Sequence, residues 1–229
     1  MKFGGTSVAN LSRIKNLQQL VKKKILNGHK KIVVVVSAMS GVTNSLVKQY
    51  KKIDSDINKP EYDVILSTGE QYSSALISTF LNKNGVKSRS ILGWQIPIIT
   101  DDKFSQARIE KINTEKILKL FRKFNVLVIA GFQGISSEGR ITTLGRGGSD
   151  TSAVAIAVSL KSKTCEIYTD VEGIFSADPK VVKDAKKIKN ITYEEILEMA
   201  SLGSKVLHPR SVELAMKYDI NIHVRSSFK

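Results

Sequence analysis

The run Ile-Val-Val-Val-Val at 32–36 sets the tightest limit on what this chain can fold into. Five successive β-branched residues without polar alternation describe a strand buried on both faces, the mark of a parallel sheet held between helices. Val-Leu-Val-Ile-Ala at 126–130 repeats the pattern. Apolar residues at Leu11, Ile14, Leu17, Leu20, Val21 and Ile25 predict a helix over 11–26, with Ser12 as N-cap and Asn27-Gly28 as its stop.

The same reading continues along the chain. It predicts helices from about 42, over 61–81, over 115–124, from 149 or 150 to 160, over 193–200 and over 209–216. Strands are expected at 86–92, 165–169 and 220–224, a glycine-rich turn region at 139–148 and a long loop from 170 to 189. Strands alternating with helices predict an α/β protein, a three-layer sandwich around a mainly parallel central sheet. No linker divides the chain, so one domain over 1–229 is expected, its N-terminal and C-terminal halves meeting at a cleft beyond the carboxyl ends of the strands.

Composition narrows the function classes. The chain is 41% hydrophobic and 25% charged, and no apolar run reaches the roughly 18 residues of a membrane span. With no leader pattern at the start, a cytoplasmic location is expected, and one cysteine, Cys165, cannot staple the fold. The net charge is +15, but the lysines are scattered over helices and turns without interleaved aromatics. That argues against nucleic acid as a partner and for a diffuse field that attracts anionic substrates.

Glycine-rich strings carry the chemistry. Lys2, Phe3, Gly4, Gly5, Thr6 and Ser7 join a cation, two adjacent glycines and two hydroxyls at the entry to a helix, a phosphate cradle in six residues. Thr143 to Asp150 sets Arg146 among Gly145, Gly147 and Gly148, with Ser149 and Asp150 at a helix start. The arginine fork suits a carboxylate or phosphate; Asp150 either caps the helix or turns into the site to hold Lys2 or a magnesium ion. Ser37, Thr43 and Asn44 follow the second strand and either bind ligand or cap the next helix. Gly69 inside a helical stretch points to close backbone approach, and Glu70 beside it is either a solvated charge or a carboxylate that meets a cation in the cleft. Thr169, Asp170 and Asp178 close a strand and its following turn, Lys205 lies in another glycine-led turn, and His208 beside Pro209 reads as structural. No Cys/His spacing suggests a metal centre.

Together the strings KFGGTSV from Lys2, SAMSGVTN from Ser37, STGEQ from Ser67, GRGGSDTSA from Gly145, YTDVEGIFSADP from Tyr168 and GSKVLHPRS from Gly203 resemble the aspartate kinases of the amino-acid-kinase fold, in order and along the whole chain. The resemblance implies transfer of the ATP γ-phosphoryl group, with Mg2+ carried by ATP, to the β-carboxylate of L-aspartate, the first step toward lysine, threonine, methionine and diaminopimelate. It implies that Lys2 stabilises the transferring group and Asp150 orients Lys2. Glu70 would take the substrate ammonium and Arg146 a substrate carboxylate, with Thr43, Gly147, Gly148 and Ser149 alongside. Phe3, the N–H groups of Gly4 and Gly5, Ser37, Thr169, Asp170, Asp178 and Lys205 would serve ATP.

Two departures qualify what the resemblance implies. Only Met1 precedes Lys2, where family members place several strand residues, so a shortened first strand is expected. The regulatory ACT domains that follow in the family have no counterpart before the sequence ends at Lys229, leaving a catalytic fragment, a short gene product or half of a split enzyme as readings. A homodimer and a separate regulatory subunit stay open as partners. The alternatives are a sister kinase acting on glutamate, acetylglutamate or UMP, and an inactive ligand-binding remnant.

Overall fold

In the computed structural model, which describes residues 1–179, 181–202 and 206–228, the two apolar runs lie side by side at the centre of a parallel sheet. The strands are β1 (Lys2–Phe3), β2 (Ile32–Val36), β3 (Ser88–Ile91), β4 (Ile98–Thr100), β5 (Ile109–Ile112), β6 (Val126–Ala130), β7 (Gln133–Ile135), β8 (Ile141–Thr143), β9 (Thr164–Thr169), β10 (Ile174–Phe175), β11 (Lys187–Ile188) and β12 (Asn221–Ser226). The helices are α1 (Leu11–Leu26), α2 (Val42–Tyr50), α3 (Pro60–Lys83), α4 (Thr114–Leu120), α5 (Gly148–Ser159), α6 (Tyr193–Ser201) and α7 (Pro209–Lys217).

The central sheet has the order β12-β9-β1-β2-β6-β3 with every pair parallel. Alternation along each strand divides its side chains between two layers. Val34, Val36, Val126 and Val128 pack with Ile14, Leu17 and Val21 of α1 and with Ile77 and Leu81 of α3. Val35, Leu127 and Ile129 pack with Ile117 of α4, Val154 and Ile156 of α5, and Val212 of α7. Burying each such side chain stabilises the fold by about 1.5–3 kcal/mol, which is why neither face tolerates polar alternation.

Several boundaries differ from the sequence expectation. Asn10, not Ser12, caps α1: its side chain accepts from the Arg13 N–H at 3.1 Å. The expected helix at 115–124 gives way to turns after Leu120. The loop after β9 contains the antiparallel pair β10–β11. A second sheet, β5-β4-β7-β8, occupies ground where the sequence reading placed no strand, β8 lying in the expected glycine-rich turn region at 139–148. Its three- and four-residue strands are too short for a hydrophobic period to register. It packs closely: a Cβ on Gly134 of β7 would lie 2.5 Å from Thr100 Cγ2.

Candidate active site

β1 brings Lys2 to the middle of the sheet, in register with Val35 on one side and Ile167 on the other. Those two residues face the α5 layer, so Lys2 does too. Its ammonium meets Asp150, in the first turn of α5, with Nζ 2.6 Å from Oδ1. The helix N-terminus favours the carboxylate, and the carboxylate fixes the ammonium. A Cβ on Gly4 would lie 3.6 Å from Lys2 Nζ, ordinary van der Waals contact, so the ammonium lies close over the backbone at Gly4.

Around this pair opens a cavity of about 890 Å³. Lys2, Gly5, Ser37, Thr43, Asn44 and Glu70 line it from the N-terminal half, and Arg146, Gly147, Gly148, Ser149, Asp150, His208 and Arg210 from the C-terminal half. Tyr62, Leu66 and Phe132 make an apolar end.

Gly69 lets the 37–40 loop settle onto α3, since a Cβ there would stand 2.7 Å from Ala38 Cβ. The same approach brings the Ala38 N–H to Glu70 Oε1 at 2.9 Å. Glu70 is 3% exposed and its Oε2 has no hydrogen-bond partner. Burial pushes its carboxyl up to about 7, against the pull of the Ala38 N–H. A buried carboxylate with one unmatched oxygen is a receptor for a cation. Arg146 is an exposed residue of the same cavity lining, on a loop turned by Gly145 (φ +73°) and Gly147 (φ +68°). A Cβ on Gly147 would fall 2.2 Å from the His208 side chain, so the histidine lies directly on the loop. Burial, and after it Arg210, hold the His208 imidazole below its ordinary value.

Some expected site residues take other places. The Phe3 ring is fully buried and stacks on Tyr168, with centroids 4.6 Å apart. The Gly4 N–H donates to the Tyr168 carbonyl at 3.2 Å, so it is already engaged and does not stand ready for a phosphate. Thr169, Asp170 and Asp178 are not among the residues lining the cavity. Thr169 Oγ1 donates to Asp170 Oδ1 at 3.1 Å, and the Asp178 carbonyl accepts from the Val181 and Val182 N–H groups. Lys205 lies outside the described residues. The carboxyl-terminal segment folds back onto the turn after β1, where Ser7 Oγ donates to Ser227 Oγ at 2.8 Å and the Arg13 guanidinium lies 3.7 Å from the centroid of the Phe228 ring.

Sequence reasoning passed over the cavity residues Ser105, Gln106, Phe132, Thr143 and Arg210 as site residues. Arg210 stands inside the KVLHPR string, which was the available signal. The others come from the second sheet and its loops, which were themselves unforeseen.

A lysine on a central strand of a parallel sheet thus meets an acid at a helix head inside one cavity. The sequence profile of the amino acid kinase family matches residues 1–226, and the chain belongs to that family. It is 50% identical over 230 residues to an aspartokinase of Rickettsia felis, covering 99% of this chain and 57% of the relative. The aspartate kinase structure from Synechocystis superposes with a TM-score of 0.86 at 47% identity, covering 100% of this chain and 38% of that one. E. coli aspartokinase III, solved in complex with aspartate and ADP, gives 0.86 at 30% identity, covering 99% of this chain and 61% of that one. The chain therefore spans little more than half the length of the curated relatives it matches. Among the described residues no helix is long and apolar enough to cross a membrane.

Proposed function

We propose that this chain is an aspartate kinase catalytic domain, transferring the γ-phosphoryl group of ATP to the β-carboxylate of L-aspartate to give 4-phospho-L-aspartate. The observation that carries the reading is the pairing of Lys2 with Asp150 in the same cavity as Glu70, whose second oxygen is unmatched. One end suits a transferring phosphoryl group and the other an ammonium.

The substrate β-carboxylate, with a pKa near 3.9, is ionised at neutral pH and needs no general base. One of its oxygens attacks the γ-phosphorus as the bond from that phosphorus to the ADP oxygen breaks. The obstacle is the approach of two anions. At about 4 Å and an effective dielectric near 20, one ammonium contributes roughly 4 kcal/mol, enough to set the rate. Lys2 supplies that charge, and Asp150 keeps it aimed. Glu70 takes the substrate ammonium and Arg146 its other carboxylate, with Thr43 and Ser149 alongside, which fixes the line of attack.

In this reading aspartate is held between Glu70 and Thr43 of the N-terminal half and Arg146 and Ser149 of the C-terminal half. The nucleotide contacts that the resemblance implies are Lys205 and, outside this cavity, Thr169, Asp170 and Asp178. Mg2+ enters with ATP and shields the phosphate charge. Among the described residues no three of His, Cys, Asp or Glu gather as a resident metal site, and the Asp150 carboxylate is engaged by Lys2, an arrangement that suits a metal held mainly by phosphates and water.

The test is ADP release from Mg-ATP with and without L-aspartate, trapping the acyl phosphate with hydroxylamine. Aspartate-dependent hydroxamate is expected. ATP binding without hydroxamate overturns the reading in favour of a ligand-binding remnant.

A further inference from the structure

Asp63 is fully buried on α3, and four hydrogen bonds converge on its carboxylate. The Ser105 N–H reaches Oδ1 and Oδ2, each at 3.0 Å; the Thr143 N–H reaches Oδ2 at 2.6 Å; Thr143 Oγ1 donates to Oδ1 at 2.8 Å. All the donors are neutral. Ser105 holds a left-handed backbone (φ +64°), a conformation disfavoured for any residue with a Cβ. The carboxylate therefore ties the loop at Ser105 to the end of β8 at Thr143.

Arg210 binds the same two segments from the other side. Its guanidinium donates to the Leu144 carbonyl and, at 3.0 Å, to the Ala107 carbonyl, while the Ala107 N–H bonds the Thr143 carbonyl at 2.9 Å. One residue collects the N–H groups of 105 and 143, the other the carbonyls of 107 and 144. The chain passes from this clamp straight into Gly145 and Arg146, and a Cβ on Gly145 would touch the Ser105 carbonyl at 2.9 Å.

We propose that Asp63 is a positioning residue for substrate-carboxylate recognition: by fixing Ser105 and Thr143 it sets the base from which Arg146 reaches into the cavity. It touches no ligand itself. The identity of that ligand as L-aspartate rests on the reading above. Burial, the largest influence, raises the Asp63 carboxyl above its ordinary value, and the three donors, two N–H groups and one hydroxyl, oppose this. In Asp63→Asn the orientation that keeps an oxygen for the Ser105 and Thr143 N–H groups sets its NH2 against Thr143 Oγ1, which must turn from donor to acceptor, and the Ser105 N–H loses one of its two acceptor oxygens, so the clamp loosens.

The test uses Asp63→Asn and the milder Thr143→Val, which removes one donor and keeps the shape. A KM for L-aspartate raised at least about tenfold in the first and about threefold in the second is expected, with the ATP KM within about twofold. Amide exchange at Ser105 and Thr143 should quicken about tenfold or more in Asp63→Asn while amides of β2 and β6 keep their protection. Equal rises in both KM values, or an unmoved aspartate KM in folded variants, overturn the proposal. If the wild-type protein yields no hydroxamate, the aspartate reading falls; amide exchange needs no substrate, and unchanged protection at Ser105 and Thr143 overturns the role of Asp63 by itself. Should Asp63→Asn fail to fold, Thr143→Val decides by the same measurements.

Discussion

Glu70 follows Asp63 by seven residues on α3, two turns along one helix face, and each carboxylate holds backbone N–H groups of loops that wall the cavity. The difference between them is occupancy. Both Asp63 oxygens are taken, whereas Glu70 Oε2 has no partner.

That unmatched oxygen makes stability depend on pH. The Glu70 carboxyl titrates near 7 in the folded chain and near 4.5 when unfolded. Between those values the folded state holds a proton that the unfolded state has lost, so stability falls as pH rises, by ~3 kcal/mol once above 7. Glu70→Gln keeps the acceptor for Ala38 and removes this dependence. Its melting temperature should exceed that of wild type at pH 8, with the gap closing toward pH 5, while its KM for aspartate rises. A wild-type protein more stable than the variant at pH 8 would contradict the assignment.

Lys2→Ala should lower kcat by about 10³-fold or more, because the charge it supplies acts on the transferring group rather than on binding. The single variant also leaves Asp150 buried without its cation, which costs stability. Adding Asp150→Asn should restore much of the melting temperature and none of the turnover. Recovery of turnover in the double variant would remove Lys2 from the reaction.

Arg146→Ala should raise the aspartate KM strongly and the ATP KM little, since the arginine lines the same cavity as Glu70 and is assigned a substrate carboxylate. Steady-state kinetics with each substrate varied in turn decide it. The reverse pattern would move Arg146 to the nucleotide side.

Gly147→Ala combines a left-handed backbone, costing about 1–2 kcal/mol, with a collision on His208. The melting temperature should fall and the aspartate KM should rise. Adding His208→Gly removes both the ring and the Cβ that lies 2.2 Å from the added methyl, relieving the collision and leaving the backbone strain, so recovery should be partial. No recovery would place the fault in the backbone alone.

How much of this was legible in the sequence depended on the range of the physics involved. Ile32–Val36 and Val126–Ala130 declared themselves because a doubly buried strand cannot hide polar residues. Gly69 was readable as a close approach, and the structure supplies its neighbour, Ala38. Lys2, Glu70 and the pair Arg146 and Asp150 were picked from three separate strings, and the fold brings all four to one cavity. Short strands such as Gln133–Ile135 carry too few residues to mark a period. Asn10 and Ser12 are both competent caps, and only the geometry of the entering chain selects Asn10. Asp63 gave no local sign at all, because its partners lie 42 and 80 residues away.

The place of β1 in the sheet has a consequence for how the chain is made. Lys2 pairs with β2 on one side, but its other neighbour, Ile167, is 165 residues further on. At about 5–20 residues per second, a ribosome needs on the order of ten to thirty seconds to bridge that interval. Throughout that time the β9 side of the strand stands open, and the acid at the head of α5 arrives only shortly before it is closed. The segment that bears the chemistry is made long before it is enclosed, so a nascent chain stalled short of β9 has most of its core residues and no assembled centre.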